Sequence, residues 1–247
     1  MPDAAITKPR GPDERARVIA HRGAWNPAPQ NSLAAFEQAI ADGADAIELD
    51  VRRSADNRLV VVHDPRIGVR PVGRLDHSAL RQRMAPGQAP ELDDVLSTLA
   101  GRIAFDIELK EDGYVGEAME VVARHLSPEH YVVTSFQEAV LPQVREAVPA
   151  ARTGLLLASR RPERRLERRV AQSKASFIAP HHTLVRGPLL DWAAERDLEA
   201  WVWTVNETRT LRQLFSDRRV GAVITDRTRE AVAEARRRPD GPVSPAV

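Results

Sequence analysis

The chain has no cysteine in its 247 residues, which excludes disulfides, thiolate metal ligands and a cysteine nucleophile together. That absence fits a reducing compartment. An excess of charge of one sign is missing as well: 36 Lys+Arg stand against 35 Asp+Glu, for a formal net charge of +1. There is therefore no overall electrostatic footprint for nucleic acid, and basic stretches have to be weighed one at a time. Long apolar runs are also lacking. Residues 1–17 scatter their charges and hold no apolar stretch of the signal-peptide kind, and no window reaches the length of a membrane span. A cytoplasmic protein with no membrane span is the plain expectation.

What is present is alternation. Short β-branched runs at Arg17–His21, Ala46–Val51, Ile103–Leu109, Tyr131–Ser135, Thr153–Leu157, Phe177–Pro180, Ala200–Val205 and Ala222–Thr225 read as strands. Amphipathic stretches follow each barrel position: Ser32–Ala41, Leu92–Ala100, Tyr114–Leu126, Gln137–Ala147, Arg161–Ser173, Gly187–Arg196, Glu207–Asp217 and Thr228–Arg236. A further short strand, Arg58–Val62, pairs with the second through the turn at Asp56-Asn57. Eight strand–helix alternations in this length predict an α/β fold, a parallel eight-stranded TIM (β/α)8 barrel with a short extra hairpin strand after the second barrel strand. Residues 1–16 read as a flexible lead-in, 17–236 as the barrel domain and 237–247 as a disordered tail. The six arginines between Arg160 and Arg169, with Glu163 and Glu167 among them, read as a solvated helix face.

Three short polar signatures end apolar runs: Ala20-His21-Arg22-Gly23, Glu48-Leu49-Asp50-Val51 and His63-Asp64. In a barrel, strand C-termini carry the active groups. Residues two apart on a strand face the same way, so Glu48 and Asp50 point together, as do Asp106, Glu108 and Lys110. Converging carboxylates repel unless a cation compensates, and an all-oxygen set suits Mg²⁺ or Ca²⁺. The alternative is a buried Glu108–Lys110 pair with no metal. His21 and His63 stand at matched rim positions, which suits acid–base work, and Arg22 suits an anionic ester. His181 and His182 end the sixth strand and are weaker candidates for substrate contact. His77, His125 and His130 read as surface residues.

These residues resemble the glycerophosphodiester phosphodiesterase family, over nearly the whole folded region and in order. The motifs are His21-Arg22-Gly23, Pro29-Gln30-Asn31-Ser32, Gly43-Ala44-Asp45-Ala46-Ile47-Glu48-Leu49-Asp50-Val51 and His63-Asp64. They continue with Pro90-Glu91-Leu92-Asp93-Asp94-Val95-Leu96, Glu108-Leu109-Lys110, Ser135-Phe136, Trp203-Thr204-Val205-Asn206 and the stretch from Gly221 to Arg227. The resemblance implies one divalent cation, Mg²⁺ or Ca²⁺, on Glu48, Asp50 and Glu108. It implies His21 and His63 as the acid–base pair, Arg22 and Lys110 on the phosphate, and Trp203 as an apolar wall. The expected partner is a small glycerophosphodiester, with no nucleic acid.

The chain departs from the family pattern at Gln30, where the family has Glu, at Ser32 in place of Thr, and in a short stretch between His63 and Pro90. Ser still caps a helix. Gln30 is placed in the substrate pocket, where the lost charge would weaken a metal site that it touched. Two other readings stand beside the leading one. A lysophospholipase D-like or cyclising lyase activity would need an apolar groove, for which Leu184, Val185, Leu189 and Ile67 are the only hints. An inactive ligand-binding barrel is argued by Gln30 alone.

Overall fold

The computed structural model describes residues 6–11, 14–158 and 163–237. Its central element is a closed barrel of eight parallel strands: β1 (Arg17–His21), β2 (Ala46–Arg53), β6 (Ala104–Leu109), β7 (Tyr131–Ser135), β8 (Arg152–Leu157), β9 (Phe177–Pro180), β10 (Glu199–Val202) and β11 (Val220–Thr225). Pairing of β1 with both β11 and β2 closes the ring. Outside it, β3 (Leu59–Val61) runs antiparallel to β2, and β4 (Arg66–Ile67) and β5 (Arg70–Pro71) form a small separate hairpin. The helices are α1 (Leu33–Asp42), α2 (His77–Arg81), α3 (Leu92–Leu99), α4 (Val115–His125), α5 (Val140–Ala147), α6 (Glu163–Ser173), α7 (Gly187–Ala194), α8 (Thr208–Ser216) and α9 (Thr228–Ala235). None of the described helices is long and apolar enough to cross a membrane.

Alternation along each strand divides the core in two. Ile47, Leu49, Val51, Phe105, Ile107 and Leu109 face outward into the main cluster, against the helices. Ile19, Ala46, Ala104, Val132 and Trp201 face inward and fill the barrel. The same parity turns Glu48, Asp50, Asp106 and Glu108 toward the barrel axis, nearer the C-terminal end. Gly23 closes the β1–α1 turn, since φ is +80° and a Cβ would stand 2.7 Å from the Ala35 carbonyl carbon. Only glycine meets both demands.

Several expected boundaries move, each for a local reason. The eighth strand begins at Val220 rather than Ala222, and β10 stops at Val202, with Trp203 retained only as a single bridge to His181. Helix α5 starts at Val140 because Gln137 is occupied elsewhere: its amide nitrogen donates to the Lys110 carbonyl and its backbone N–H to Ser135 Oγ. Within the lead-in read as flexible, Ile6 is buried in the barrel interior and its N–H donates to the Glu129 carbonyl. Arg10 is tied to Glu199, Asp217 and Val220. An apolar plug for the open N-terminal end of the barrel accounts for this anchoring. The expected tail from Arg238 onward lies outside the described residues, as does the start of the arginine-rich stretch.

Candidate active site

The ends of β1, β2 and β6 and the segments after β1, β3 and β6 bring the polar signatures together at the C-terminal end of the barrel. A cavity of about 110 Å³ is lined by His21, Arg22, Glu48, His63, Asp106, Glu108 and Lys110 on its polar side. Thr134, Phe136, Leu156, Trp203 and Ile224 form the rest of its wall. Both candidate catalytic residues, both phosphate-binding candidates, Trp203 and two of the three metal candidates thus border one space, Asp50 and Gln30 being the exceptions. Asp50 lies directly beneath, fully buried.

The carboxylates form the floor. Oxygens of Glu48, Asp50 and Glu108 lie within 4.8 Å of one another. Lys110 Nζ stands 2.7 Å from both Asp50 Oδ1 and Glu108 Oε1, as ion pairs rather than as aligned hydrogen bonds. Arg22 Nε lies 3.2 Å from Asp50 Oδ2, and Asn31 Nδ2 donates to the same oxygen at 2.7 Å. The Arg22 backbone N–H donates to Glu48 Oε2 at 2.9 Å, whereas Glu48 Oε1 is buried without a hydrogen-bond partner among the described residues. Both Arg22 and Asn31 hold positive φ, 57° and 54°, a conformation that turns these groups back onto the strand ends.

Two cations do not balance this cluster. Burial, reinforced by Asp50 and Glu108, pushes Glu48 well above the usual carboxylate range. Burial raises Glu108 to about 7 despite Lys110, and raises Asp106 to about 7 despite the hydrogen bond from Thr134. Asp50 alone goes the other way: burial pushes it up, but Lys110, Arg22 and His63 together hold it low. The donor set fits a hard divalent cation, since three carboxylates converge and one buried oxygen has nothing to bind. The readings of a metal site and of a Glu108–Lys110 pair are therefore not exclusive, because Lys110 offsets only part of the charge.

The two histidines are held differently. His21 Nδ1 lies 2.7 Å from Asp226 Oδ1, and that carboxylate is itself braced by Asn206 Nδ2 at 2.7 Å, the Asn206 side-chain oxygen at its N–H, and Trp25 Nε1 at 3.3 Å. Burial would raise Asp226, but the bond with His21 and these donors bring it down to about 2. His63 Nδ1 instead meets the exposed Asp64 at 2.8 Å, and burial lowers its imidazole, helped by Lys110 and Arg22 against the pull of Asp50. Asn206 and Asp226 lie in motifs that carry the resemblance, but neither has a role at the site that the sequence alone assigns. Each lies one residue beyond a recognisable strand end, and only their contacts reveal the link to His21.

Gln30 lies beside the site but not in the cavity wall. Its side-chain oxygen accepts from Arg22 Nη1 at 2.9 Å, so it orients the arginine rather than bonding only loop backbone. Trp203 stands where expected, its indole N–H donating to the Ala179 carbonyl at 2.7 Å and its ring edge-on to Phe136 at 5.5 Å. His181 packs edge-on against Trp203 at 4.9 Å and supports that wall from behind; it is absent from the cavity lining, as is His182. His77 is not the surface residue expected: Nε2 lies 2.8 Å from the Ala89 carbonyl and Nδ1 3.3 Å from Glu91, tying α2 to the start of α3. Leu184, Val185 and Leu189 pack, partly buried, against the main core.

A TIM barrel with this constellation at its C-terminal rim suits the chemistry of a phosphoric diester hydrolase. The chain belongs to the glycerophosphoryl diester phosphodiesterase family, whose sequence model matches residues 21–230. It is 24% identical over 229 residues to a glycerophosphodiester phosphodiesterase of Caldanaerobacter subterraneus subsp. tengcongensis, covering 85% of this chain and 93% of that one. The crystal structure of glycerophosphodiester phosphodiesterase from Agrobacterium tumefaciens is similar with a TM-score of 0.73 and 26% identity, over 88% of this chain and 99% of the other. The fold is also shared with an Oleispira antarctica phosphodiesterase solved in complex with the product sn-glycerol-3-phosphate (TM-score 0.78, 20% identity, 89% and 96% covered).

Proposed function

We propose that this chain is a metal-dependent phosphodiesterase that hydrolyses glycerophosphodiesters to glycerol 3-phosphate and an alcohol. The observation that carries this reading is the convergence of two imidazoles, Arg22 and Lys110 on one small cavity above three buried carboxylates. The volume of about 110 Å³ suits a glycerol-sized group, and the named product of the Oleispira antarctica relative agrees with it. Phe136, Leu156 and Trp203 offer the carbon backbone of that group an apolar wall.

The phosphate sits between Arg22 and Lys110, which neutralise its oxygens as charge builds in the transition state. Glu48, Asp50 and Glu108 would hold one Mg²⁺ or Ca²⁺, which when bound supplies Lewis-acid stabilisation of the phosphoryl oxygens and compensates the carboxylates. One histidine takes the proton from the neighbouring glycerol hydroxyl as its oxygen bonds to phosphorus. The other gives a proton to the departing alcohol oxygen as the P–O bond breaks. Water then opens the cyclic phosphate with the two roles exchanged. The bond to Asp226 fixes His21 Nδ1 as the N–H end of the ring and leaves Nε2 for the substrate.

Turnover of glycerophosphocholine is the test, measured with Mg²⁺, Mn²⁺ or Ca²⁺ and with chelator. Metal-dependent release of glycerol 3-phosphate is expected. Accumulation of cyclic phosphate as the end product would favour the lyase reading instead, and binding without turnover the inactive barrel.

A further inference from the structure

Between His63 and the start of α3 the chain forms a small lobe with a core of its own. Its Val72, Leu75 and Leu80 are buried together with Val60 and Val62 of the preceding β3 segment. Around that core five arginines stand exposed: Arg66, Arg70, Arg74, Arg81 and Arg83. The stretch 64–89 holds only two carboxylates, Asp64 and Asp76, in a chain whose net charge is +1. Among the described residues, none of the five arginines has a carboxylate oxygen within 4.0 Å. Elsewhere exposed arginines commonly do, as Arg102 with Glu37, Arg124 with Asp93 and Arg212 with Glu234. The lobe core is too small and too apolar to take these side chains inward, so their charge faces solvent.

The tip of this lobe is apolar. Val69 is 84% exposed, at the turn of the β4–β5 hairpin. At the neighbouring Gly68 an added Cβ would meet nothing within 4 Å. Arg66 Nη1 donates to the Val69 carbonyl at 2.9 Å, which holds the tip in shape. The other exposed large apolar side chains of the described residues, Trp25 and Phe136, follow β1 and β7. Trp25 and Phe136 thus stand on loops at the C-terminal rim, and the lobe follows His63, which lines the cavity there. A hairpin with an apolar tip and flanking guanidinium groups, placed three residues after His63, matches an anionic bilayer surface in both charge and polarity.

We propose that the lobe of residues 64–89 docks the barrel mouth onto an anionic lipid surface, Val69 entering the interface and the arginines meeting headgroup phosphates. A nucleic acid would offer the same phosphates. The stretch 64–89 contains no Phe, Tyr or Trp, and so lacks a stacking platform for bases. The proposal concerns association alone and does not depend on which diester is cleaved.

Co-sedimentation with unilamellar vesicles tests it, comparing phosphatidylcholine alone with phosphatidylcholine doped with phosphatidylglycerol. The wild-type chain is expected to bind the doped vesicles only, and less as salt is raised. Arg70→Glu/Arg74→Glu/Arg81→Glu is expected to lose about a hundredfold in partitioning, and Val69→Asp a smaller part. Arg165→Glu/Arg168→Glu, two exposed charges on α6, is expected to change nothing. Soluble glycerophosphocholine turnover and thermal midpoint serve as controls for folding and should match wild type in all three variants. If the wild type shows no turnover, the vesicle result still stands or falls by itself. Failure of the wild type to prefer doped vesicles overturns the proposal, as does equal loss in the α6 variant. Tighter binding to double-stranded DNA than to doped vesicles, insensitive to Val69→Asp, would assign the lobe to a polyanion instead and overturn it too.

Discussion

At the N-terminal end of the barrel one carboxylate lies among guanidinium groups, whereas at the C-terminal end four carboxylates share one guanidinium and one ammonium group. Below, Glu199 accepts from Arg152 Nη2 at 2.5 Å and from the Arg10 backbone N–H at 2.5 Å. Arg152 lies over the rings of Phe177 and Trp201, 5.1 and 5.6 Å from their centroids. Burial alone would raise Glu199, but Arg10 and Arg152 hold it below its ordinary value. Space for that carboxylate depends on Gly221, where a Cβ would stand 2.7 Å from Glu199 Cδ. Above, burial raises Glu108 and Asp106 to about 7 and pushes Glu48 well above its ordinary value. The two ends contain the same residue types in opposite balance. Charge that is matched stabilises the apo fold, and charge that is left unmatched is available to a ligand.

Substitutions at the upper end should therefore separate activity from stability. His21→Ala and His63→Ala are each expected to lower kcat by about a hundredfold or more, the scale of an acid–base group. A variant within a few-fold of wild type on glycerophosphocholine would remove that residue from the pair. Glu48→Gln should abolish metal-dependent turnover yet raise the thermal midpoint of the metal-free protein by about 2–4 °C, the shift that about 1 kcal/mol produces in a domain of this size. Added divalent cation should raise the midpoint of the wild type and not of Glu48→Gln. A lower midpoint for the metal-free variant would mean that the upper end is not the strained one.

The lower end should behave in the reverse way. Glu199→Gln leaves Arg152 buried without its partner and is expected to cost about 3 kcal/mol of stability while kcat is unchanged. Its pH signature follows from the direction of the shift. A carboxyl held below its unfolded value contributes stability above that value and loses it as pH falls through the folded one. Denaturant midpoints should then fall with acid more steeply in the wild type than in Glu199→Gln below the ordinary carboxylate range. Parallel acid limbs in the two proteins would show that Glu199 is not matched as the geometry implies.

Asp226 tests a subtler contrast within the upper end, between an imidazole with a braced partner and one without. Asp226→Asn keeps the shape but weakens the hold on His21 Nδ1. It is expected to lower kcat about tenfold or more with KM little changed, whereas Asp64→Asn beside His63 should do far less. Imidazole ¹⁵N shifts read the same effect directly, as loss of a single His21 tautomer. Equal effects at the two positions would erase the distinction.

How much of this was legible in the sequence differs between the two ends. Strand parity alone places Glu48 with Asp50 and Asp106 with Glu108 on the inward face, and the rim histidines follow from the ends of apolar runs. The closed parallel ring follows from alternation. What parity does not show is pairing across the barrel. Asp226, braced by Asn206, meets His21 only through closure of β11 on β1, and Arg10 meets Glu199 over 189 residues of chain. Neither contact has a local pattern. The lobe was hidden for another reason: its two strands are two residues each, too short to give any periodicity. His77 carried no signal because its partners are a carbonyl at Ala89 and a carboxylate at Glu91, reached by a turn of the lobe rather than by a helix face.

The smallest expected effect concerns Gln30. If the residue bordered the metal ligands directly, Gln30→Glu would add a charge there and tighten the cation. Its observed partner is Arg22 Nη1, the same guanidinium whose Nε faces Asp50 at 3.2 Å. A carboxylate at position 30 would compete with Asp50 and with the substrate phosphate for that guanidinium, since a charged acceptor binds Arg more strongly than a neutral amide. Gln30→Glu is therefore expected to raise KM for glycerophosphocholine by about threefold, roughly 0.7 kcal/mol, with metal affinity in calorimetry close to wild type. Gln30→Ala, which removes the acceptor, should instead loosen Arg22 and lower kcat/KM without a change in metal affinity. A tenfold gain in metal affinity for Gln30→Glu would place residue 30 within reach of the cation and make Arg22 the bystander.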